Sequence, residues 1–452
     1  MEPTPRKSKF VGTAKRTENV EGTNKELCLD QAQGCKCSAK GANVEGEPAC
    51  EGSKTQNAVV ESRFRTRAPR SRRPIVSNAI PESITQNVDL KEAVEALLPK
   101  NYNFEMYKTV WQIQKAGAKR VALQFPEGLL MYSMIISDIL EKFCEVEIVI
   151  MGDVTYGACC IDDYSAIALG CDFMVHYGHS CLIPVNVTSI KTMYVFVEIG
   201  INLEKLIETI RFNFNNEKKI ALVGVVQFLA NMHQVQAALK DEFDIYIPQV
   251  KPLSPGEILG CTSPKLKGNE NDTLILFVGD GRFHLESILI SNPKISAFAY
   301  DPYTNKLTRE KYNHEEMFQV RKEAIEKGKK ATKYGLILGT LGRQGSNTVL
   351  DNLELKLKAA NKEYVIVLLS EIFPAKLQQF EDVECWIQIS CPRLSIDWGY
   401  AFSAPLLSPY EAAVALGSAE WQSVYPMDFY ANESLGAFTP NHKTLPPQSI
   451  SL

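Results

Sequence analysis

The 452-residue chain has no run approaching the roughly 20 consecutive apolar residues that a bilayer-spanning helix needs. Its opening residues, MEPTPRKSKF, hold charge and proline where a secretory leader carries an apolar segment, so a cytoplasmic location is expected. No GxGxxG or GxxxxGKS/T loop is present, which removes the phosphate-cradling turn of an ordinary nucleotide-binding fold. The 12 cysteines include no CxxC or CxxxCxxC spacing, so no compact metal knuckle is encoded locally. Structural disulfides are not expected in a reducing compartment either. Three roles remain for these thiols: packing as small hydrophobes, redox chemistry, or binding metal with partners distant in the chain.

Large apolar residues are also scarce over the first 80 positions, which show no helical or strand periodicity and are expected to form a disordered tail. Residues 1–75 hold 15 Lys/Arg and 9 Asp/Glu, a balance of +6, leaving −10 for the rest. The basic run from Arg63 to Pro74 reads as a solvated tail, with a localisation signal or anionic contact as the alternative. Cys28, Cys35, Cys37 and Cys50 fit no zinc-ligand spacing and read as incidental. Residues 443–452 are expected to form a second flexible tail.

From about Asp89 the pattern changes to three passages of similar layout, expected as domains over 89–215, 216–330 and 331–442. Each opens with a short apolar strand, a turn and a helix, starting at Arg120, Lys219 and Tyr334. Met232, Val235 and Leu239, like Leu350, Leu353 and Leu357, recur at steps of three and four, which predicts helices with one apolar face. Second strands are expected at Val146–Asp153, Phe243–Val250 and Glu363–Ser370, and third strands from Phe173, Thr273 and Cys385. Fourth strands are expected at Met193–Ile199, at Ser296–Pro302 and near Ala404. Strands rich in Val and Ile that alternate with helices predict an α/β fold: three pseudo-symmetric domains, each a small, mostly parallel sheet flanked by helices.

Ligands in such sheets bind outside the carboxyl ends of the strands. One cysteine falls at that edge in each passage: Cys159 after the second strand of the first, Cys261 after the second strand of the second, and Cys391 after the third strand of the third. If those edges face one another, three thiolates converge on a central iron-sulfur site and leave one iron open. Cys159 and the adjoining Cys160 cannot both point into one site without strain, so one of the two reads as a spectator. Cys144 and Cys385 read as core, and Cys171 and Cys181 flank a strand. Strand ends also carry His176 and His179, either zinc ligands or internally bonded imidazoles, and the Gly279–His284 loop with Asp280 and Arg282. The Gly339–Ser346 loop holds Arg343, Gln344 and Gly345, and its glycines allow an anion near a helix N-terminus or simply make a turn.

From Leu98 to His442 the sequence resembles the diphthamide biosynthesis protein 1/2 family. The resemblance rests on ordered landmarks: LPKNYNFEMYKTVWQI, ALQFPEGLLMYS, GDVTYGACCIDD, HYGHSCLIP, VGDGRFHLE, LGRQGS, SCPRLSIDWG and YPMDFYANESLGAFTPNH. It implies a 4Fe-4S cluster on Cys159, Cys261 and Cys391. It further implies cleavage of S-adenosylmethionine to a 3-amino-3-carboxypropyl radical that is transferred to a histidine of translation elongation factor 2. Asp280, Arg282, Arg343, Gln344 and Gly345 are then expected around the methionyl end of that cosubstrate. A related second subunit in a heterodimer and a small zinc-binding electron donor are the implied partners, with no membrane or nucleic acid. A quinolinate synthase-like iron-sulfur enzyme and a non-catalytic partner subunit are the alternatives.

Overall fold

The computed structural model describes residues 79–268 and 271–442. The expectations for the N-terminal tail, its cysteines and the last ten residues fall outside that span.

Three sheets, met in succession along the chain, carry the fold. The first contains β1 (Arg120–Gln124), β2 (Glu147–Met151), β3 (Phe173–Tyr177) and β4 (Lys191–Val195). The second contains β5 (Lys219–Gly224), β6 (Ile245–Tyr246), β7 (Thr273–Val278), β8 (Ser296–Asp301) and β9 (Lys306–Glu310). The third contains β10 (Lys333–Gly339), β11 (Glu363–Leu369), β12 (Cys385–Ile389) and β13 (Leu406–Leu407). Their spatial orders are β2-β1-β3-β4, β6-β5-β7-β8-β9 and β11-β10-β12-β13. Every pairing is parallel except that of β8 with β9. Each sheet therefore repeats one order, second-first-third-fourth, and reverses direction between its first and third strands, where an α/β sheet opens a crevice at its carboxyl edge.

Strands β3, β7 and β12 are buried at every residue. A parallel strand covered by helices on both faces is buried throughout, which is why these runs do not alternate, and the polar His176 and Gln388 within them are hydrogen-bonded to the protein. Among the helices are α1 (Ser133–Cys144), α2 (Leu229–Leu239), α3 (Phe283–Ser291), α4 (His314–Lys330), α5 (Asn347–Ala359), α6 (Pro392–Trp398) and α7 (Pro409–Ala415). The expected apolar faces are the buried ones: Met232, Val235 and Leu239 on α2, and Leu350, Leu353 and Leu357 on α5. Ser346 starts α5 by accepting from Val349 N–H, and Ser408 with Glu411 forms a full capping box on α7.

Three elements differ from expectation. Only Ile245–Tyr246 of the Phe243–Val250 run pairs as a strand, since Pro248 has no N–H to continue the ladder. The expected Met193–Ile199 strand breaks at Val197, whose φ of 57° leaves Glu198–Ile199 to pair separately with Tyr102–Asn103. Strand β9 was not expected, because KLTRE is a polar sequence; it lies antiparallel at the edge of its sheet, where charged residues are tolerated.

A three-cysteine candidate site

Each of the three expected cysteines stands on a locally fixed turn. Cys159 lies in a single 3-10 turn, Ala158–Cys160, closed by Cys160 N–H donating to the Gly157 carbonyl at 2.9 Å. Cys261 lies between Leu259 and Thr262, whose backbones exchange hydrogen bonds of 2.9 and 3.3 Å. Cys391 immediately precedes α6, with Pro392 at the first helical position, where no N–H donor is required. Cys261 is buried, and Cys159 and Cys391 are half-buried.

The three thiols are electrostatic neighbours. Cys159 is held well above the ordinary thiol value, first by its hydrogen bond to Cys160, then by burial, then by the charges of Cys160, Cys261 and Cys391. Burial and then the charge of Cys391 push Cys261 up. Burial pushes Cys391 up to about 11, against the pull of the Arg393 backbone N–H and guanidinium. Cys160 is instead drawn down to about 7, chiefly as the acceptor from Cys159. Gln344 Nε2 also donates to its Sγ at 3.2 Å. Buried thiols that repel one another as thiolates ionise together only around positive charge. Among the described residues no group of three or more His, Cys, Asp or Glu closes on one ion position. Three sulfurs that interact at longer range are a soft donor set of the kind iron-sulfur centres use, with one iron to each sulfur.

Two arginines of the third-sheet passage brace these loops. Arg343 N–H donates to the Cys159 carbonyl at 2.9 Å. Its guanidinium forms a fork on Asp163, at 2.8 and 2.6 Å, and lies 4.0 Å from the Tyr164 ring centroid. Arg393 is 2% exposed and donates to the Gly260 carbonyl (3.2 Å), the Phe283 carbonyl (2.6 Å), Glu286 (2.5 Å) and Asp397 (2.9 Å). It thereby ties the turn before α6 to the turn before Cys261 and to the start of α3.

Most of the residues expected around a cosubstrate are engaged with the protein itself. Arg343 and Gln344 are bound to protein partners, Gln344 both to Cys160 and, through Oε1, to the Ser390 hydroxyl at 2.7 Å. Gly345 allows close backbone packing, since a Cβ there would meet the Gly339 carbonyl at 2.3 Å. Gly342, at φ 55°, lets the same loop lie against Cys160, whose carbonyl oxygen would be 2.4 Å from an added Cβ. Arg282 is bound to Glu286, Glu310 and the Lys311 carbonyl, and Asp280 is exposed at the end of β7.

The strand-end histidines form a buried wire. Gln124 Nε2 donates to the Cys160 carbonyl at 2.9 Å, so its Oε1 accepts from His176 Nδ1 at 2.8 Å. His176 Nε2 then accepts from His179 Nδ1 at 3.0 Å. Burial, then the charge of His179, holds His176 well below its ordinary value. Burial lowers His179 to about 4, with His284 contributing, and lowers His284 to about 4, with Arg393 contributing. These imidazoles stay neutral in the folded chain while the unfolded chain takes up protons below pH 6.5. Their stability contribution is therefore present above that pH and is lost as pH falls toward 4. The interval from 6.5 to about 4 is worth at most roughly 3 kcal/mol for each of His179 and His284, less the solvent screening of their partly exposed rings. Urea unfolding at pH 7 and pH 5 should show the loss, and His179→Asn should reduce it; an unchanged pH slope in that variant would assign the acid sensitivity elsewhere.

A family model described as putative diphthamide synthesis protein matches residues 125–426. The chain belongs to the diphthamide synthesis family. It is 60% identical over 366 residues to 2-(3-amino-3-carboxypropyl)histidine synthase subunit 1 of Dictyostelium discoideum, across 79% of this chain and 77% of that protein. To the Homo sapiens protein of the same name it is 53% identical over 380 residues, across 84% and 85% respectively. The crystal structure of Dph2 from Pyrococcus horikoshii with a 4Fe-4S cluster is similar, with a TM-score of 0.60 and 26% identity, across 71% of this chain and 93% of that one.

The family match includes all three cysteines and both arginine braces, and it stops short of Tyr430. Asp163, Glu286, Arg393 and Tyr430 were not singled out in the sequence. The spacing of Arg393 and Asp397, i to i+4 on α6, was a readable signal for that pair. Nothing local marks Asp163 as the partner of Arg343.

Proposed function

We propose that this chain is the catalytic subunit of a 2-(3-amino-3-carboxypropyl)histidine synthase. It transfers a 3-amino-3-carboxypropyl group from S-adenosylmethionine to a histidine of translation elongation factor 2, at a 4Fe-4S cluster held by Cys159, Cys261 and Cys391. The observation that carries this reading is that the cysteine turns of three separate sheets are joined: those of Cys159 and Cys261 pack in one apolar cluster, and Arg393, two residues after Cys391, donates to the Gly260 carbonyl. The names of the curated relatives and the cluster in the solved relative support it.

A cluster bound by three protein thiolates supplies an open iron for the methionine end of the cosubstrate and the single electron that cleaves its carbon–sulfur bond to a carbon radical. The remaining work belongs to the chain. Arg393 offsets the charge of the Cys261 and Cys391 thiolates and holds their turns together. Arg343 and Gln344 hold the Cys159–Cys160 turn against the third sheet. Asp280, exposed at the end of β7, would take the methionyl amine, with Arg282, Arg343, Gln344 and Gly345 assigned to the same methionyl site. A related second subunit, the elongation factor and a small zinc-binding electron donor are the partners this reading requires, in the cytoplasm. No described helix is long and apolar enough to cross a membrane.

Anaerobic iron and sulfide analysis with visible spectra tests the assignment. The wild-type chain should carry iron and sulfide in equal amounts, and Cys159→Ala, Cys261→Ala and Cys391→Ala should each lose most of both. Variants that keep a full complement would refute the ligand set. A cluster-loaded chain that transfers nothing from S-adenosylmethionine, even with its second subunit and reductant, would refute the reaction.

A further inference from the structure

We infer that Tyr430 is a positioning residue of the sulfur site, its phenol donating to the Cys159 sulfur and so setting how readily the centre accepts an electron. This deepens the reading of Cys159, Cys261 and Cys391 as cluster ligands and rests on it.

The segment after α7 that contains Tyr430 is laced to the Cys261 turn by backbone hydrogen bonds. Ser263 N–H donates to the Met427 carbonyl (2.9 Å), Phe429 N–H to the Cys261 carbonyl (3.3 Å), and Asn432 N–H to the Lys251 carbonyl (2.8 Å). Tyr430 is fixed at both ends of its own backbone: its N–H donates to Thr262 Oγ1 at 2.9 Å, and its carbonyl accepts from Asn441 Nδ2 at 2.7 Å. Its position is set next to Cys261 before its side chain makes any contact.

The side chain, 4% exposed, enters a small apolar cluster with Ala158, Leu182, Leu253, Cys261 and Phe429, against which Cys159 packs. That cluster joins the cysteine turn of the first sheet to that of the second. A phenylalanine would fill the same volume without the cost of burying a hydroxyl, and a buried tyrosine hydroxyl needs a partner. The partner assigned to it is the Cys159 sulfur, because the ring shares one cluster with Cys261 and Cys159 packs against that cluster. Between a phenol and a sulfur ligand the phenol is the donor.

A donor to a ligand sulfur stabilises the more electron-rich, reduced state of an iron-sulfur centre and raises its reduction potential. Tyr430→Phe removes that donor and keeps the ring. With the full-length chain reconstituted anaerobically, the variant should retain wild-type iron, sulfide and unfolding temperature. Its reduction equilibrium, followed by visible absorbance and EPR, should shift about tenfold against reduction, close to 59 mV downward for one electron. Loss of iron at an unchanged unfolding temperature would also support the contact, since the phenol would then be needed to hold the centre. An unchanged potential at full iron content would overturn the inference. So would a lowered unfolding temperature with an unchanged potential, which would make the hydroxyl a fastener of the segment alone. A wild-type chain that binds no cluster would overturn the underlying reading, and this inference with it.

Discussion

Arg393→Ala should cost about 3–5 kcal/mol of stability, the usual consequence of removing one partner from a buried ion pair, and should empty the sulfur site of iron. The guanidinium is 2% exposed and bonds with Nε, Nη1 and Nη2. Its loss leaves Asp397 without a countercharge and Glu286 with Arg282 alone, and removes the donor from the Gly260 and Phe283 carbonyls. Asp397 already sits above the ordinary carboxylate value because of burial, with Arg393 opposing that rise. In the variant it rises further. The folded state then favours a protonated Asp397, while the unfolded state keeps it ionised near neutrality. The deficit should accordingly be largest at pH 7 and shrink as pH falls toward the raised value. Denaturant unfolding at two pH values, beside iron content, checks both parts. Wild-type stability with full iron would mean that the turns before Cys261 and Cys391 hold themselves in place. Arg393→Lys should fall between the two, because an ammonium keeps the charge and loses the planar fork.

Glu411→Ala should be as damaging to stability, at about 3–5 kcal/mol, through a group that touches no cysteine turn. Arg321 and Glu411 are 1% and 0% exposed and pair through two bonds of 2.6 Å. Glu411 also accepts from Ser408 N–H at 2.8 Å and from the Tyr425 hydroxyl at 3.0 Å, so it caps α7, fixes α4 and anchors the start of the C-terminal segment at once. Alanine leaves the Arg321 cation buried with only the Leu406 carbonyl as a partner, at 2.8 Å. Urea unfolding of the wild type and the variant measures the loss. Below the variant's transition, iron content should match the wild type, which separates this pair from Arg393. A shift under 1 kcal/mol would mean that water reaches Arg321 and compensates it.

The elements most legible in the sequence are those where local pattern and burial agree. The Val- and Ile-rich runs became buried central strands, and steps of three and four became the buried faces of α2 and α5. The misreadings occurred at sheet edges. There, polar KLTRE pairs because a neighbouring strand offers it a ladder, while Pro248 ends an apolar run that composition alone would extend. The loops at the carboxyl ends stood out in the sequence by their residue types, and the partners of their side chains did not. Arg343 and Gln344 look like open donors in a glycine-rich turn, yet the fold gives them Asp163 and Cys160.

The amino-acid sequence alone determined the repeated strand–helix order, the apolar faces and the presence of one cysteine at the same edge of each passage, because these depend on periods of a few residues. Only the tertiary structure decided which of those side chains meet. Arg343 reaches Asp163 across 180 positions, and Arg393 reaches Gly260 across 133 and Glu286 across 107. Charge interactions and desolvation depend on distance through space, so the mutual influence of Cys159, Cys261 and Cys391, and theirs upon Tyr430, exists only once the three sheets have packed.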